Sequence, residues 1–135
     1  MQLKDKVVLV TGASGGIGEA IAHEFAKKGG KLILHARNET SIKELEKEIC
    51  NEKGECMTVS ADFQKITEIS QMFEKIRKNY STLDVLVNVS GIERVYMDPL
   101  DTSELKDVLD INLFGAVECS REALKMMGLQ EQFLQ

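Results

Sequence analysis

Residues 8–29, VLVTGASGGIGEAIAHEFAKKG, join a short apolar run, a glycine cluster and a helical pattern. The apolar run predicts a strand buried on both faces, as strands of parallel sheets are. Gly12 predicts a sharp turn, because glycine enters positive φ at little cost. From Ile17 the apolar spacing changes to about 3.6 residues, which predicts a helix with Ile17, Ile21 and Phe25 on one face. A strand that leads through glycines into a helix points the first helical N–H groups at an anion.

The anion that best suits this turn is the pyrophosphate of a dinucleotide. A strand precedes the glycines, a helix follows them, and a second strand is predicted about twenty residues further on. The alternative is that the glycines only allow the helix to pack closely against the strand.

The composition excludes several other classes of function. The chain has 135 residues and a net charge of −5, with acidic and basic residues interspersed, so nucleic acid is not a predicted partner. No apolar run approaches the roughly 18 residues that a membrane span needs. The first residues lack a signal-peptide core, and we expect a cytoplasmic protein. Cys50, Cys56 and Cys119 lack metal-ligand spacing, so we expect no metal site and three free thiols, each of which can serve as a small apolar residue.

The remaining sequence alternates strand and helix patterns. This alternation predicts a parallel sheet with helices on both faces and ligands at the carboxyl ends of the strands. Further strands are predicted over residues 32–35, 56–60 and 85–89. Helices are predicted over residues 38–53, from Lys65 or Thr67 onward, and over residues 102–127 with Leu105, Val108, Leu109 and Asn112 on the inner side.

Four motifs appear in the order of one known family. They are Thr11-Gly12-Ala13-Ser14-Gly15-Gly16-Ile17-Gly18, Ala61-Asp62, Asn88-Val89-Ser90-Gly91, and Asn112 within Ile111-Asn112-Leu113-Phe114-Gly115. Together they resemble the short-chain dehydrogenase/reductase family. The resemblance implies a Rossmann-like, doubly wound parallel sheet of about four strands in the order 3-2-1-4, ending before the family's fifth strand. It implies an NAD(P)-binding domain over residues 1–127 and a divergent tail over residues 128–135.

The resemblance also implies which residues bind the cofactor. Asp62 would bond the adenine amino group, although it could instead cap the following helix, and Phe63 would offer its backbone N–H to the ring. Asn88 would tie neighbouring strands together, whereas Val89 and Ser90 depart from the family's Asn and Ala and could loosen the floor of the site. The implied cofactor-binding residues are Thr11, Gly12, Ser14, Gly16, Ile17, Gly18, Arg37, Asn38, Asp62, Phe63, Asn88, Ser90 and Gly91.

The end of the second strand indicates NADP rather than NAD. NAD-binding members of such folds carry an acid there, which holds the ribose hydroxyls. Here Ala36 occupies that position and Arg37 follows, and a guanidinium can hold a 2′-phosphate by charge-assisted bonds. The family's second NADP mark, a basic residue before the second motif glycine, is absent, since Gly15 stands there. The alternative for Arg37 is a solvated surface charge.

The family's catalytic serine and YxxxK pair are not found in this sequence. Tyr96 has Leu100 where the lysine would stand, and Tyr80 is placed at a helix end. Asn112 is the one catalytic position that matches, and its alternative is a buried asparagine bonded to backbone. We expect His23 to face solvent rather than to act in catalysis.

Two hypotheses of function remain. In the first, the chain is the NADP-binding portion of a carbonyl or alcohol oxidoreductase and is inactive alone. In the second, it is a non-catalytic nucleotide-binding or subunit-interaction module that associates with itself or with full-length subunits.

Overall fold

A computed structural model describes residues 2–51, 54–92 and 102–128. Four parallel strands form one sheet in the order β3-β2-β1-β4, which confirms the predicted fold class and strand order. The strands are β1 (Val7–Val10), β2 (Lys31–Ala36), β3 (Cys56–Ser60) and β4 (Val85–Val87). The helices are α1 (Gly16–Lys27), α2 (Lys43–Asn51), α3 (Ile66–Asn79), α4 (Ser103–Leu109) and α5 (Ala116–Met126), with a 3-10 turn at Glu39–Ile42 and a π-helical segment at Asp110–Gly115.

Helices cover the sheet on both faces. Side chains of a strand alternate between faces, and β1 shows this directly: Val8 and Val10 pack with residues of α1 and α2, whereas Val7 and Leu9 pack with residues of α3 and α5. All four side chains are buried. The short apolar run therefore becomes the centre of two cores, as the doubly wound prediction requires.

The first turn of α1 differs from the predicted amphipathic pattern. Ile21 and Phe25 pack against the core and Ala22 is fully buried, but Ile17 is 71% exposed. The predicted face is therefore packed only from Ile21 onward, because the first turn lies beyond the carboxyl end of β1 and lines a surface groove.

The fourth strand is shorter than predicted. It ends at Val87 rather than Val89, because the backbone N–H groups of Val89 and Ser90 donate to the side chain of Thr11 at 3.0 and 3.1 Å. The chain therefore turns across the end of β1 instead of continuing beside it.

The predicted helix over residues 102–127 exists, but its inner face is not the predicted one. Leu105 and Leu109 are 45% and 40% exposed, and Asn112 is exposed as well; of the four predicted inner residues, Val108 alone is partly buried. The π-helical segment takes more residues per turn than an α-helix, so a regular 3.6-residue period places the wrong residues inside. The buried residues are Ile111, Gly115, Cys119, Glu122, Ala123 and Met126.

Two of the three cysteines are paired, so the prediction of three free thiols was wrong for Cys50 and Cys56. These residues form a disulfide, with Cα atoms 6.2 Å apart. The pairing arises because the end of α2 lies beside the start of β3, which gives the separation that a disulfide requires. Cys119 is free and buried, and burial, with a smaller contribution from Glu122, raises the pKa of its thiol to about 12.

None of the helices within the described ranges is long and apolar enough to cross a membrane.

Candidate functional site

A groove runs along the carboxyl ends of the strands. One part of it is lined by the glycine-rich turn and the start of α1, and the other by the ends of β2 and β3. Both parts share Gly12, Ser14, Ser90 and Gly91, so they form one continuous groove. This is where parallel α/β sheets bind ligands.

The glycine-rich turn is shaped by contacts that exclude side chains. Gly12 has φ +64°, and a Cβ there would lie 2.8 Å from Ser90 Cα. A Cβ on Gly18 would lie 2.3 Å from the carbonyl oxygen of Gly12. At Gly16 a Cβ would meet nothing within 4 Å. The backbone is therefore tightly packed behind the turn and open on the side facing the groove.

The start of α1 has the properties of an anion site. Gly15 is the N-cap and offers no side-chain cap, so the first helical N–H groups receive no side-chain acceptor from it. Gly16, Ile17 and Gly18 line the groove at this point. Unsatisfied N–H groups and the helix dipole together favour a phosphate there.

Thr11 and Ser90 form the floor between β1 and β4. Thr11 is fully buried, and its Oγ1 accepts from the N–H groups of Val89 and Ser90 and donates to the carbonyl of Val87 at 3.4 Å. Thr11 therefore shapes the groove from behind rather than lining it. The departures at Val89 and Ser90 leave these backbone bonds in place, so the floor is held despite the altered motif.

At the other end of the groove, Arg37 faces Asp62. Arg37 Nη2 lies 3.7 Å from Asp62 Oδ2, and the Arg37 side chain is 72% exposed. Asp62 Oδ1 accepts from the N–H of Gln64 at 3.0 Å, so one carboxylate oxygen caps the local turn while the other faces Arg37. Asn38 accepts from the N–H of Ser41 at 3.1 Å as the cap of the 3-10 turn.

Asn88 and Asn112 hold the chain after β4. Asn88 Nδ2 donates to Ser120 Oγ at 3.0 Å, which ties the strand end to α5 rather than to a neighbouring strand. Asn112 clamps Ile92 by two bonds: its Oδ1 accepts from the Ile92 N–H at 2.7 Å and its Nδ2 donates to the Ile92 carbonyl at 2.8 Å. Gly91 packs close to the Asn112 side chain, because a Cβ built on Gly91 would lie 3.2 Å from Asn112 Oδ1. Asn112 thus bonds backbone, as its alternative prediction proposed, but at the surface.

His35 is a site residue that the sequence reasoning missed. It is 3% exposed at the end of β2 and lines the groove. Its Nδ1 lies 3.2 Å from the Gly12 N–H nitrogen, its Nε2 lies 3.0 Å from the Ala61 carbonyl, and its ring stacks on Phe63 with centroids 4.4 Å apart. Burial lowers its pKa, although the bond to Ala61 opposes that effect. The available signal was a histidine within a buried strand, two residues before Arg37.

We expected His23 to face solvent, but its side chain is largely covered. Its side chain is 24% exposed and its Nε2 lies 3.3 Å from Glu48 Oε2, between α1 and α2. Neither residue lines the groove.

Comparison with known proteins identifies the family. The model of the family described as short chain dehydrogenase matches residues 6–132. The chain belongs to this family. Short-chain dehydrogenases are oxidoreductases that use NAD or NADP.

Individual relatives agree with this assignment. The chain is 38% identical over 122 residues to 11-beta-hydroxysteroid dehydrogenase A of Sesamum indicum, covering 87% of this chain and 35% of that protein. It is 39% identical over 126 residues to 11-beta-hydroxysteroid dehydrogenase 1A of Arabidopsis thaliana, covering 90% and 36%. The chain thus spans about a third of the length of these curated relatives.

Solved structures share the fold. The citronellol catabolism dehydrogenase of Pseudomonas aeruginosa matches with a TM-score of 0.83 and 25% identity, covering 93% of this chain and 52% of that one. A double mutant of a Serratia marcescens short-chain dehydrogenase/reductase matches with a TM-score of 0.87 and 24% identity, covering 94% and 53%.

Proposed function

We propose that this chain binds NADP(H) as the cofactor portion of a carbonyl or alcohol oxidoreductase, and that the 135 residues alone catalyse no turnover. The observation that carries the proposal is the continuity of the groove from the start of α1 to Arg37. It joins an anion site to a cation, which are the two features that the pyrophosphate and the 2′-phosphate of NADP(H) would each need. Residues 1–127 form the proposed binding domain.

The residues present fit such a ligand. The N–H groups at Gly16 and Ile17 would hold the pyrophosphate, and the open space above Gly16 leaves room for it. Arg37 would hold a 2′-phosphate, since its side chain is 72% exposed and its ion pair with Asp62 is long, at 3.7 Å. When bound, the nicotinamide would accept or donate a hydride. Asn112 would fix the backbone at Ile92 beside the groove.

Replacing Arg37 with alanine should lower the preference for NADP(H) over NAD(H) by about tenfold or more, because a charge-assisted bond to the 2′-phosphate contributes on the order of 1.5–3 kcal/mol. NADPH and NADH fluorescence titrations measure both affinities, and the absence of tryptophan keeps the protein background low. Arg121→Ala, on α5 and 67% exposed, is the matched control and should leave the preference unchanged. Equal preferences for the parent chain and Arg37→Ala would show that Arg37 is only a surface charge.

The purified chain should show no oxidation or reduction of the nicotinamide with a panel of aldehydes, ketones and alcohols. Proton transfer in the family needs a tyrosine assisted by a lysine, and no YxxxK occurs in the 135 residues. Absorbance at the reduced-nicotinamide band measures turnover. Activity that survives purification to homogeneity and disappears in Tyr96→Phe would contradict the proposal.

A specific observation supports the second candidate, a subunit-interaction module. The exposed side of the α4–α5 region carries a row of large apolar side chains, which we call the apolar stripe; its members are Leu105, Leu109, Leu113, Phe114, Val117 and Leu124. Exposed apolar patches of this kind mark protein contacts. A second copy of this chain, or a full-length subunit, is the proposed occupant.

A further inference from the structure

The imidazole of His35, which lines the groove, contacts residues that follow the three other strands. The Gly12 N–H and the Ser90 hydroxyl both lie near its Nδ1, at 3.2 and 3.3 Å, and the Ala61 carbonyl lies 3.0 Å from its Nε2. The glycine-rich turn is bonded to the same residue a second time, because the N–H of Ala13 donates to the His35 carbonyl at 2.8 Å.

The backbone partners fix the protonation of the ring. A peptide N–H can only donate, so Nδ1 must accept from Gly12 and carries no proton. A peptide carbonyl can only accept, so Nε2 must carry the proton that is donated to Ala61. His35 is therefore the neutral Nε2–H tautomer, and the Ser90 hydroxyl, 3.3 Å from Nδ1, shares the single lone pair of that nitrogen with the Gly12 N–H. Ser90 replaces the alanine of the family motif, so the hydroxyl contact is a feature of this chain.

We propose that neutral His35 is a positioning residue that holds the glycine-rich turn in its anion-binding shape. Its Nδ1 fixes the Gly12 N–H, while Nε2–H and the stacking on Phe63 anchor the ring to the end of β3. The expected effect of His35 on dinucleotide affinity rests on the proposed function. His35 itself touches no reacting atom.

Two substitutions distinguish the role of Nδ1 from the role of Nε2. His35→Asn can present an amide oxygen near the position of Nδ1 and so keep an acceptor for Gly12, whereas His35→Gln can reach Ala61 with an amide N–H but removes that acceptor. Isothermal titration with NAD+ should show an affinity about tenfold lower for His35→Gln and within about threefold of the parent chain for His35→Asn. Equal losses in both variants would mean a merely structural role and would overturn the proposal.

The pH dependence of NAD+ affinity gives a second readout. Protonation of Nδ1 removes the acceptor for Gly12, so affinity should fall as the pH drops through the pKa of His35, which lies below the ordinary histidine value of 6.5. A positive imidazolium beneath a pyrophosphate would by itself raise affinity. A fall in affinity at low pH therefore supports loss of the Gly12 acceptor, and a rise supports direct electrostatic attraction instead. Because burial lowers the His35 pKa, the fall begins on the acid side of that value. His35→Asn should abolish it, and His23→Asn, at the partly exposed histidine, should not.

Other charged groups at this end of the groove are few. Arg37 follows His35 on its own strand, and Asp62 stands at the end of β3 with Glu68, which accepts from the Asp62 N–H at 2.7 Å. Within the described ranges, the glycine-rich turn and the chain after β4 bring no charged side chain to the lining. Comparison of the parent chain with His35→Asn isolates the contribution of the histidine, because the variant keeps Arg37, Asp62 and Glu68. NAD+ avoids the titration of a 2′-phosphate.

Nuclear magnetic resonance of the ligand-free chain separates this proposal from the proposed function. The ¹⁵N shifts of His35 should show a proton on Nε2 and none on Nδ1, and exchange of the Gly12 amide should accelerate at least tenfold in His35→Gln but not in His35→Asn. A chain that shows this signature but binds neither NAD+ nor NADP+ would support the tautomer and the turn while refuting the proposed function. A proton on Nδ1, or Gly12 exchange that is unchanged in His35→Gln, would overturn the inference.

Discussion

Gly18→Ala should lower the free energy of unfolding by about 3 kcal/mol or more, which is a large part of the total stability of a small domain. The added Cβ would lie 2.3 Å from the Gly12 carbonyl oxygen and 2.8 Å from Ala13 Cα. Neither atom is the end of a flexible side chain. Gly12 is itself fixed by its positive φ and by Ser90 behind it, so the turn cannot yield without opening the floor of the groove.

The matched control is Gly16→Ala, one helical residue before Ile17. A Cβ there meets no atom within 4 Å, so stability should stay equal or rise by up to about 1 kcal/mol, as expected when alanine replaces a helical glycine. Urea unfolding followed by circular dichroism measures both variants, since the chain has no tryptophan to report by fluorescence. Equal unfolding midpoints for the two variants would show that the turn adapts and that its close packing does not determine the fold.

The contrast between these glycines shows what the sequence could predict. Gly12 was assigned to a sharp turn because the strand pattern before it and the helix pattern after it are local signals. The third strand was predicted over Cys56–Ser60 and is found there, again because a short apolar run between turn signals is a local feature. The strand order 3-2-1-4 came from the family resemblance and was confirmed.

Features that depend on distant contacts were not predictable in this way. The π-helical segment at Asp110–Gly115 shifts the buried face of the last helix. Its last residue packs against a distant part of the chain, because a Cβ on Gly115 would lie 2.8 Å from Phe63 Cβ. The Cys50–Cys56 disulfide depends on how α2 returns to β3. An argument from residue spacing that assumes one helical period misses the π-helical segment, and it cannot place Cys50 beside Cys56.

In the site, likewise, the types of residue could be predicted from the sequence but their contacts could not. Arg37 and Asp62 were expected at opposite tasks, phosphate binding and adenine binding, and the structure brings their side chains within 3.7 Å of each other. His35 was treated as part of a strand because its importance comes from Gly12 and Ala61, which are far from it in sequence. Residue type identified the charged groups of the groove, but the partners of each required the fold.

The isolated chain should associate at micromolar concentration through the apolar stripe. Leu113, Phe114 and Val117 are 49%, 55% and 48% exposed, and together with the other members they form an apolar surface of the kind that marks a protein contact. Within the described ranges, β4 pairs with β1 alone, so its other edge carries unpaired backbone groups that also favour association. Sedimentation velocity should therefore show a dimer or larger species.

Charged substitutions in the stripe should disperse this assembly. Leu113→Lys combined with Val117→Glu places charges at the centre of the proposed contact, and loss of hot-spot residues should raise the dissociation constant on the order of 30-fold or more. Ile66→Glu is the matched control, because Ile66 is 55% exposed on α3 rather than in the stripe, and it should leave the assembly intact. If the parent chain sediments as a monomer, the stripe is not an interface between copies. If Ile66→Glu disperses the assembly as much as the double substitution does, the association is non-specific. A monomeric parent chain and equal dispersal by Ile66→Glu would each remove the support for an interaction module.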